Sequence, residues 1–480
     1  MSPIRNRILL IQPRATRFPG FRMPLNLLQL AAPLIKSGFD VDILDFHIES
    51  PSESEIAKRV ENILFVGISC FTGLQSAESI RIGKLLKRIN PNLKLVWGGY
   101  HPSLWSDLAI KSDLVDFVIK GAGENTLRDL AQRLSSGEII EKQIIDQSPI
   151  DKIPSPAIDL INPEKYIAST LIGNRVLNIN TSYSCSHACS FCAVHKAFPH
   201  GWIAKPSDQV VDEIEYLYKN HSIDGLEFSD NAPFIDQNRM LKIAEEILHR
   251  KINIKWMTMA RADELLRYSD DEWNLLVQSG FSRVFVGIES GDNAILNSIN
   301  KNESTEIFLN FAQKCAQHNL IPDYSFTLGY PPNPDSDIEQ SFKLVRDLKK
   351  ITPSGTVMFY RYTPYTLNDP NSSQMQFPSK WEDWADPAWE SWSLTSSETP
   401  WMNQKSIRKI NNFQAVMTCA YHREEAVFPA DGSLSGLIGL IVPIAKYRWQ
   451  KGLFNSPYEL RILRRFFLSF NPSRKSTIAT

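Results

Sequence analysis

The chain predicts an α/β architecture: a doubly wound parallel sheet, then a partial (β/α)6 barrel, then a smaller, mainly helical C-terminal region. Two observations carry this. Short apolar runs alternate with helical patterns from Arg7 to about Leu134, and a second alternation of the same kind runs from Val176 to Thr363. Short strands separated by helices pair in parallel through right-handed crossovers. At 480 residues the chain also exceeds what one hydrophobic core serves, so several domains are expected.

The first alternation supplies the strands RILLIQ, VDILDF, LFVGIS, LKLVWGG and VDFVIKG, with helical patterns such as LNLLQLAAPLIKSG and SAESIRIGKLLKRI between them. A five-stranded open sheet within residues 1–140 follows. Small residues gather where these strands end: Ser69, Gly98 with Gly99, and Gly121 with Gly123. Ligands of open α/β sheets bind at the carboxyl ends of the strands, where glycine lets a bulky group approach the backbone. Residues 141–175, containing SPIDKIPSPAIDLINPEKY, lose the periodicity and read as a linker.

Residues 176–363 hold six βα steps, from VLNIN to GTVMFYRYT, enough for a partial barrel whose reactive face lies at the strand C-termini. Residues 364–480 change character. Trp381, Trp384, Trp389, Trp392 and Trp401 fall in a polar stretch that reads either as a lid over the barrel mouth or as the core of a small helical domain, the second being favoured. A basic segment follows, with Lys446, Arg448, Lys451, Arg461, Arg464 and Arg465. It reads first as a solvated amphipathic helix and second as a contact for a membrane surface or lipid-like substrate.

A net charge of -1 gives no global pull toward nucleic acid or acidic membranes. The run RILLIQ is too short for a signal sequence, and the apolar stretch Leu434 to Ala445 is too short to span a bilayer and contains Pro443. A cytoplasmic protein is expected. Of the six cysteines, three fall within eight positions, which suits one local thiolate site rather than a disulfide framework.

That site is SYSCSHACSFCAVH, on the loop after VLNIN, which spaces Cys185, Cys189 and Cys192 as CxxxCxxC. Three thiolates on one loop cap three irons of a cubane and leave the fourth iron open for chemistry. Zinc, with His187 or His195 as fourth ligand, is the competing reading. Zinc sites usually pair CxxC units, and this triplet is unpaired.

With Phe191 before the last cysteine, the segment resembles the CxxxCxΦC hallmark of the radical S-adenosylmethionine (SAM) superfamily, which carries it after the first barrel strand. The resemblance implies a [4Fe–4S] cluster on Cys185, Cys189 and Cys192 whose free iron is chelated by SAM. One injected electron then cleaves the sulfonium to methionine and a 5'-deoxyadenosyl radical, which abstracts hydrogen from an inert carbon. It implies SAM contacts from Phe191 and from Ser229, Asp230 and Asn231 at the second strand's end. Arg261, after the third strand, would pair with the SAM carboxylate or equally with Asp263 or Glu264. Glu289 and Ser290, in GIESG, would face the ribose or methionine moiety, and YSFTLGYPPN, with Gly329 and Pro331, resembles the family's turn near the adenine.

An α/β domain ahead of the triplet resembles the cobalamin-dependent branch of that superfamily, which includes methylases and the anaerobic Mg-protoporphyrin ester cyclases. VGISCFTG, VWGGYHPS and VIKGAGENT fall where the branch carries its third, fourth and fifth strand motifs. The cobalamin contacts so implied are Ser69, Thr72, Gly98, Gly99, Gly121, Gly123 and Glu124. One departure matters: Asp45, Phe46 and His47 follow the second strand rather than the first, with Ser50 where the DxHxxG motif has glycine. His47 therefore reads as a loop histidine, and cobalt is expected to lack a histidine lower ligand; a vestigial domain that binds no cobalamin is the other consequence. Cys70 is the one cysteine in this domain, so a second cluster there is not expected.

The expected activity is that of a cobalamin-dependent radical SAM methyltransferase acting on an unactivated carbon, with 5'-deoxyadenosine and S-adenosylhomocysteine as products. The alternative is a cyclisation, oxidation or rearrangement of the anaerobic cyclase type, without net methyl transfer. A non-enzymatic iron–sulfur or corrinoid carrier would not need the GIESG string. Expected partners are a small-molecule or lipid-like substrate and a reductase, flavodoxin or ferredoxin as electron donor, with no nucleic acid and with peripheral membrane contact through the C-terminal region. The sequence names no catalytic acid, base or hydrogen relay.

Overall fold

The computed structural model describes residues 6–15, 22–199, 201–364, 369, 371–390, 399, 401–421 and 435–462. Strands β1 (Arg7–Gln12), β2 (Asp40–Asp45), β3 (Ile63–Ser69), β4 (Leu95–Gly98), β5 (Phe117–Lys120) and β6 (Gln143–Asp146) form one sheet in the order β2-β1-β3-β4-β5-β6. All its pairs are parallel. Along β1 the two-residue period sends Ile8 and Leu10 into one core and Leu9 and Ile11 into another. A sheet buried on both faces is what parallel strands with helical crossovers produce. The order reverses at β1 and β3, which opens a crevice at their carboxyl ends.

The sequence reading expects five strands here; the sixth, QIID, comes from the stretch read as linker. Its residues are half-buried or exposed, so it carries little of the apolar signal that marks the other five.

The second sheet contains β7 (Ala168–Thr170), β8 (Gly173–Ile179), β11 (Gly225–Phe228), β12 (Lys255–Ala260), β13 (Phe281–Glu289), β14 (Ile321–Leu328) and β15 (Thr356–Arg361), ordered β15-β14-β13-β12-β11-β8-β7. The hairpin β9 (Ser182–Tyr183) and β10 (Ile203–Ala204) stands apart at the end of β8. The six strands from β8 to β15 in this sheet are parallel, as the six βα steps predict, and β7 adds an antiparallel edge. Within it Arg283 of β13 donates through Nε to Asp323 of β14 at 2.6 Å, and Thr356 of β15 also donates to Asp323. Both charged side chains are buried, so the pair ties three strands together in a place where neither charge meets water.

The two sheets meet at their strand-end edges. The helix Leu25–Lys36 of the first unit lies against β8: Asn178 Oδ1 accepts from the Met23 N–H at 2.7 Å. Gln29 and Asn180 exchange amide hydrogen bonds of 2.8 and 3.0 Å. Tyr183 donates to Gln29 Oε1 or Glu124 Oε1, each at 2.7 Å, and Arg22 pairs with Glu227. The residues after the first and fifth strands of one sheet thus face the ends of β8 and β11 in the other.

The C-terminal region is mainly helical, with helices Gln404–Ala420 and Ser435–Lys451 packed on each other and on the barrel. The tryptophans follow neither expectation as a group. Trp381 and Trp384 are fully buried in the core of the first sheet, with Trp97, Trp105, Ile80 and Leu86, although they stand more than 270 residues beyond these partners. Trp389 packs there too, Trp401 packs on Tyr362 at the barrel mouth, and Trp392, Arg464 and Arg465 lie outside the described residues. Among the described residues no helix is long and apolar enough to cross a membrane.

The Arg283–Asp323 pair yields a test of the fold. Replacing Arg283 with Met leaves a carboxylate buried without its counter-charge and should lower unfolding stability by ~3–5 kcal/mol. Denaturant titration of the purified variant measures it.

Candidate functional site

The end of β8 is held by a carboxylate. Asp230 accepts from the Thr181 N–H at 2.9 and 3.1 Å, from the Thr181 hydroxyl at 3.1 Å and from the Ser182 hydroxyl. Arg239 closes the other side, donating to the Thr181 carbonyl at 2.7 Å. Burial raises the Asp230 pKa against the pull of these donors. The chain then turns at Ser184 with φ +64° directly ahead of Cys185, a strained conformation for a residue with a side chain.

Cys185, Cys189 and Cys192 occupy the loop between β9 and the short helix Val194–Ala197. Each sulfur has a donor: the His187 N–H 3.4 Å from Cys185 Sγ, the Val194 N–H 3.5 Å from Cys192 Sγ and Arg261 Nη1 3.9 Å from Cys189 Sγ. Burial pushes all three thiols up, Cys192 to about 11, while Lys301 and Arg261 draw Cys189 back. N–H donors at each sulfur suit thiolates that share their charge with iron. Among the described residues no three His, Cys, Asp or Glu groups converge closely enough to hold a single metal ion. A zinc ion would need its ligands at about 2–2.3 Å from one point. His187, a proposed fourth zinc ligand, turns its Nε2 to Glu264 at 2.8 Å. Three thiols on one loop, each with its own donor, suit three corners of a cubane. The other three cysteines, Cys70, Cys315 and Cys419, are buried.

Around this loop the structure sorts the residues expected to contact SAM. Ser229 is exposed at the end of β11, and Asn231 beside it is half-buried. Phe191 packs with Ile299, Tyr330 and Tyr362. Glu289 ends β13 with φ +67°, where the ladder with β14 slips; it accepts from the Thr327 hydroxyl at 2.7 Å and lies 3.9 Å from Lys301 Nζ.

Three of these side chains have partners within the chain. Both Asp230 oxygens accept from Thr181, and one also accepts from Ser182. Arg261 makes a two-pronged contact with Asp263 (2.9 and 3.2 Å), bonds the Lys301 carbonyl (2.7 Å) and lies 3.4 Å from Glu303. Burial works against its charge, but Glu303 and Asp263 outweigh burial and raise its pKa. Its guanidinium thus takes Asp263, one of the partners the sequence offers, and lies beside Cys189. Ser290 is fully buried, donates to Asp337 and accepts from the Asp292 N–H at 3.0 Å, so it closes a turn. A missed residue is Lys301, a buried cation among Glu289, Glu303 and Cys189. It sits ten residues after Gly291, in the loop between helices Asn293–Ser298 and Thr305–Gln317, and only the folded chain brings it to the cluster loop.

At the facing edge, Ser69 accepts from Asn26 Nδ2 at 2.8 Å, and Thr72 contacts His101 Nδ1 at 2.9 Å. Gly98 stays open, since a Cβ there would meet nothing closer than 3.7 Å, whereas Gly99 (φ +90°) is pressed on Ser69 and Cys70. The opening expected at Gly121 is filled by Gln147, whose side chain would lie 2.0 Å from a Cβ at that position. Gly123 precedes the helix Glu124–Ser135 and packs on Leu30. Glu124 is buried, and its Oε2 has no partner among the described residues. Burial raises its pKa, which favours the neutral acid. The open Gly98, the Ser69 and Thr72 hydroxyls and the unpaired Glu124 oxygen fit a large amide-rich ligand. Both ring nitrogens of His47 are engaged, Nδ1 with Asp45 at 2.9 Å and Nε2 with the Ala15 N–H at 2.8 Å. This agrees with its reading as a loop histidine.

Between the edges stands Tyr100, which sequence reasoning overlooked. Its ring stacks on the exposed Phe71 (4.8 Å), meets Phe198 edge-on (4.9 Å), and its hydroxyl lies 3.4 Å from Asn231 Nδ2. Burial lifts its pKa to about 12; Asn231 eases the rise, and proximity to Cys192 and Cys185 adds to it.

Residues 179–345 match the Radical SAM superfamily, and residues 13–131 match the B12 binding domain. The chain is a radical SAM enzyme with a B12-binding domain. That membership brings a [4Fe–4S] cluster, SAM and cobalamin as its cofactors, a small-molecule substrate and a need for an electron donor. The chain is similar to an anaerobic magnesium-protoporphyrin IX monomethyl ester cyclase of Synechocystis sp., with 27% identity across 70% of this chain and 72% of that one. It is also similar to an uncharacterised methyltransferase of Pyrococcus horikoshii, at 26% identity across 68% and 73%. In fold it matches the cobalamin-dependent SAM radical enzyme OxsB with aqua-cobalamin bound, at a TM-score of 0.69 and 17% identity, over 98% of this chain and 76% of that one.

Replacing Asp230 with Ala leaves the buried Thr181 and Ser182 donors unpaired, at a cost of ~1–3 kcal/mol each at most. The expected outcome in this radical SAM enzyme is a lower melting temperature together with less than half the wild-type iron and sulfide per chain, measured after anaerobic reconstitution.

Proposed function

We propose that this enzyme is a methyltransferase that methylates an unactivated carbon of a small molecule. The observation that carries the reading is the placement of Tyr100: one aromatic ring separates the edge that carries Ser69, Thr72 and Gly98 from the cysteine loop. A methyl carrier at one edge and a radical generator at the other would share one chamber. When bound, the cluster and SAM supply the adenosyl radical, and cobalamin supplies the methyl group.

In this reading Cys185, Cys189 and Cys192 hold the cluster, with the His187 and Val194 N–H groups and Arg261 supporting their sulfurs. Phe191, Ser229, Asn231 and Glu289 line the SAM side. Ser69, Thr72, Gly98 and Glu124 meet the corrinoid, and Gly99, Gly121 and Gly123 shape the turns that carry them. Aromatic walls from Phe71, Tyr100, Phe198 and Tyr330 exclude water, which keeps a reactive carbon radical from side reactions. A lipid-like substrate and peripheral membrane contact belong to the same proposal, supported by exposed Ile444 and Tyr447 on the helix that carries Lys446 and Arg448.

Similarity to the cyclase keeps a second reading, a radical SAM transformation without methyl transfer. The two differ in products. Protein reconstituted without air and given SAM, dithionite and cobalamin should release 5'-deoxyadenosine and S-adenosylhomocysteine in the methyltransferase reading, and deoxyadenosine alone in the other. Serine at any one of Cys185, Cys189 or Cys192 should reduce deoxyadenosine to background; turnover that survives these changes would overturn both.

A further inference from the structure

Beyond the two strand-end edges, the structure holds a polar group that the proposed reaction does not use. His101 follows the Gly98–Gly99 turn and is fully buried. Trp381 stacks on its ring at 4.8 Å, and Trp384 meets it edge-on at 4.6 Å. Trp105 and Phe377 close the outer side of this cage, each against Trp384. Glu382 and Glu390 fasten the same segment from outside, the first accepting from Ser112 and the second pairing with Arg81. A stretch from the far end of the chain is thus strapped across the first sheet directly behind His101.

The ring nitrogens of this cage are unusual. Among the described residues, His101 Nε2 and the indole nitrogens of Trp105, Trp381 and Trp384 are all buried without a hydrogen-bond partner. Buried polar groups are rarely left unpaired, so the arrangement constrains the histidine. Burial holds His101 neutral, with its pKa brought down to about 3, so it carries a single ring hydrogen. Placed on Nε2, that hydrogen would point into a cage whose other ring nitrogens are themselves donors. Placed on Nδ1, it is donated to Thr72 Oγ1, 2.9 Å away. Thr72 makes no other side-chain hydrogen bond among the described residues, so its own hydroxyl hydrogen is then free to be donated outward, at the edge.

We propose that residues 377–390 act as a strap that, by caging His101, fixes the Thr72 hydroxyl as an outward hydrogen-bond donor for an amide or phosphate oxygen of the bound corrinoid. The inference rests on the cobalamin reading of that edge and gives the tryptophan segment a positioning role. Besides the stacking of Phe71 on Tyr100, the loop it acts on is tied through its backbone: Phe71 N–H to Gln75 at 2.7 Å, Cys70 N–H to the Gly98 carbonyl at 3.1 Å and the His101 N–H to the Cys70 carbonyl at 3.0 Å. Without the cage, the imidazole would be free to rotate and Thr72 to turn inward.

The test uses the full chain, purified free of cobalamin and titrated with hydroxocobalamin by absorbance. His101→Phe keeps the aromatic cage filled and removes the Thr72 contact; Thr72→Val removes the hydroxyl. Each should weaken hydroxocobalamin binding about five- to tenfold, the value of one hydrogen bond. The double variant should lose no more than either single one, and Thr72→Ser should bind as the wild type does. Trp381→Ala should in addition speed amide hydrogen exchange at residues 70–77 while leaving 281–289 unchanged. Wild-type affinity in His101→Phe, fully additive losses, or unaltered exchange at 70–77 in Trp381→Ala would overturn the strap. A wild-type chain that binds no hydroxocobalamin would overturn the corrinoid assignment and the reading beneath it, an outcome distinct from the others.

Discussion

The arrangement of this enzyme depends on one seam of hydrogen bonds, made chiefly by amide and hydroxyl side chains, with the Arg22–Glu227 pair at its margin. Gln29 and Asn180 pair side chain to side chain, and Tyr183 joins them to Glu124. Amides satisfy each other's donors and acceptors without the desolvation cost of an ion pair, which suits a buried contact between two separately cored units. Because the seam lies where strands end, it turns the two reactive edges toward each other. Had the units met through their helices, each would face solvent.

The seam also explains how charge is distributed around the cysteine loop. The loop's own anchors are buried and compensated: Asp230 by hydroxyls and N–H groups, Arg261 by Asp263 and Glu303, Lys301 by Glu303 and Glu289. What remains toward the chamber is mostly aromatic, with Phe71, Tyr100 and Phe198 in contact. The fixed charges of Arg261 and Lys301 lie beside Cys189, where they would tune a bound cluster.

Much of this was legible in the sequence, and what was missed has a common cause. The six strands from VLNIN to GTVMFYRYT, the cysteine triplet and GIESG are local patterns, and the fold contains them as read. Asp230, Arg261 and Ser290 stand at strand ends; Asp263 was legible as a partner of Arg261 two residues away, but Thr181 and Asp337 reach Asp230 and Ser290 from distant elements, and no spacing rule pairs those. Lys301 and Tyr100 escaped notice for the same reason. The strand QIID was missed because an edge strand with half-exposed faces lacks the apolar run that marks a central one.

The burial of Trp381 and Trp384 in the first core has a consequence for how the molecule is made. Residues 1–150 emerge first during synthesis and would ordinarily fold as a unit. Here one face of that unit, with Trp97 and Trp105, stays uncovered until a segment encoded more than two hundred residues later arrives. The nascent front half must wait, exposed, for the barrel to be translated, and no single cut in the polypeptide yields it whole.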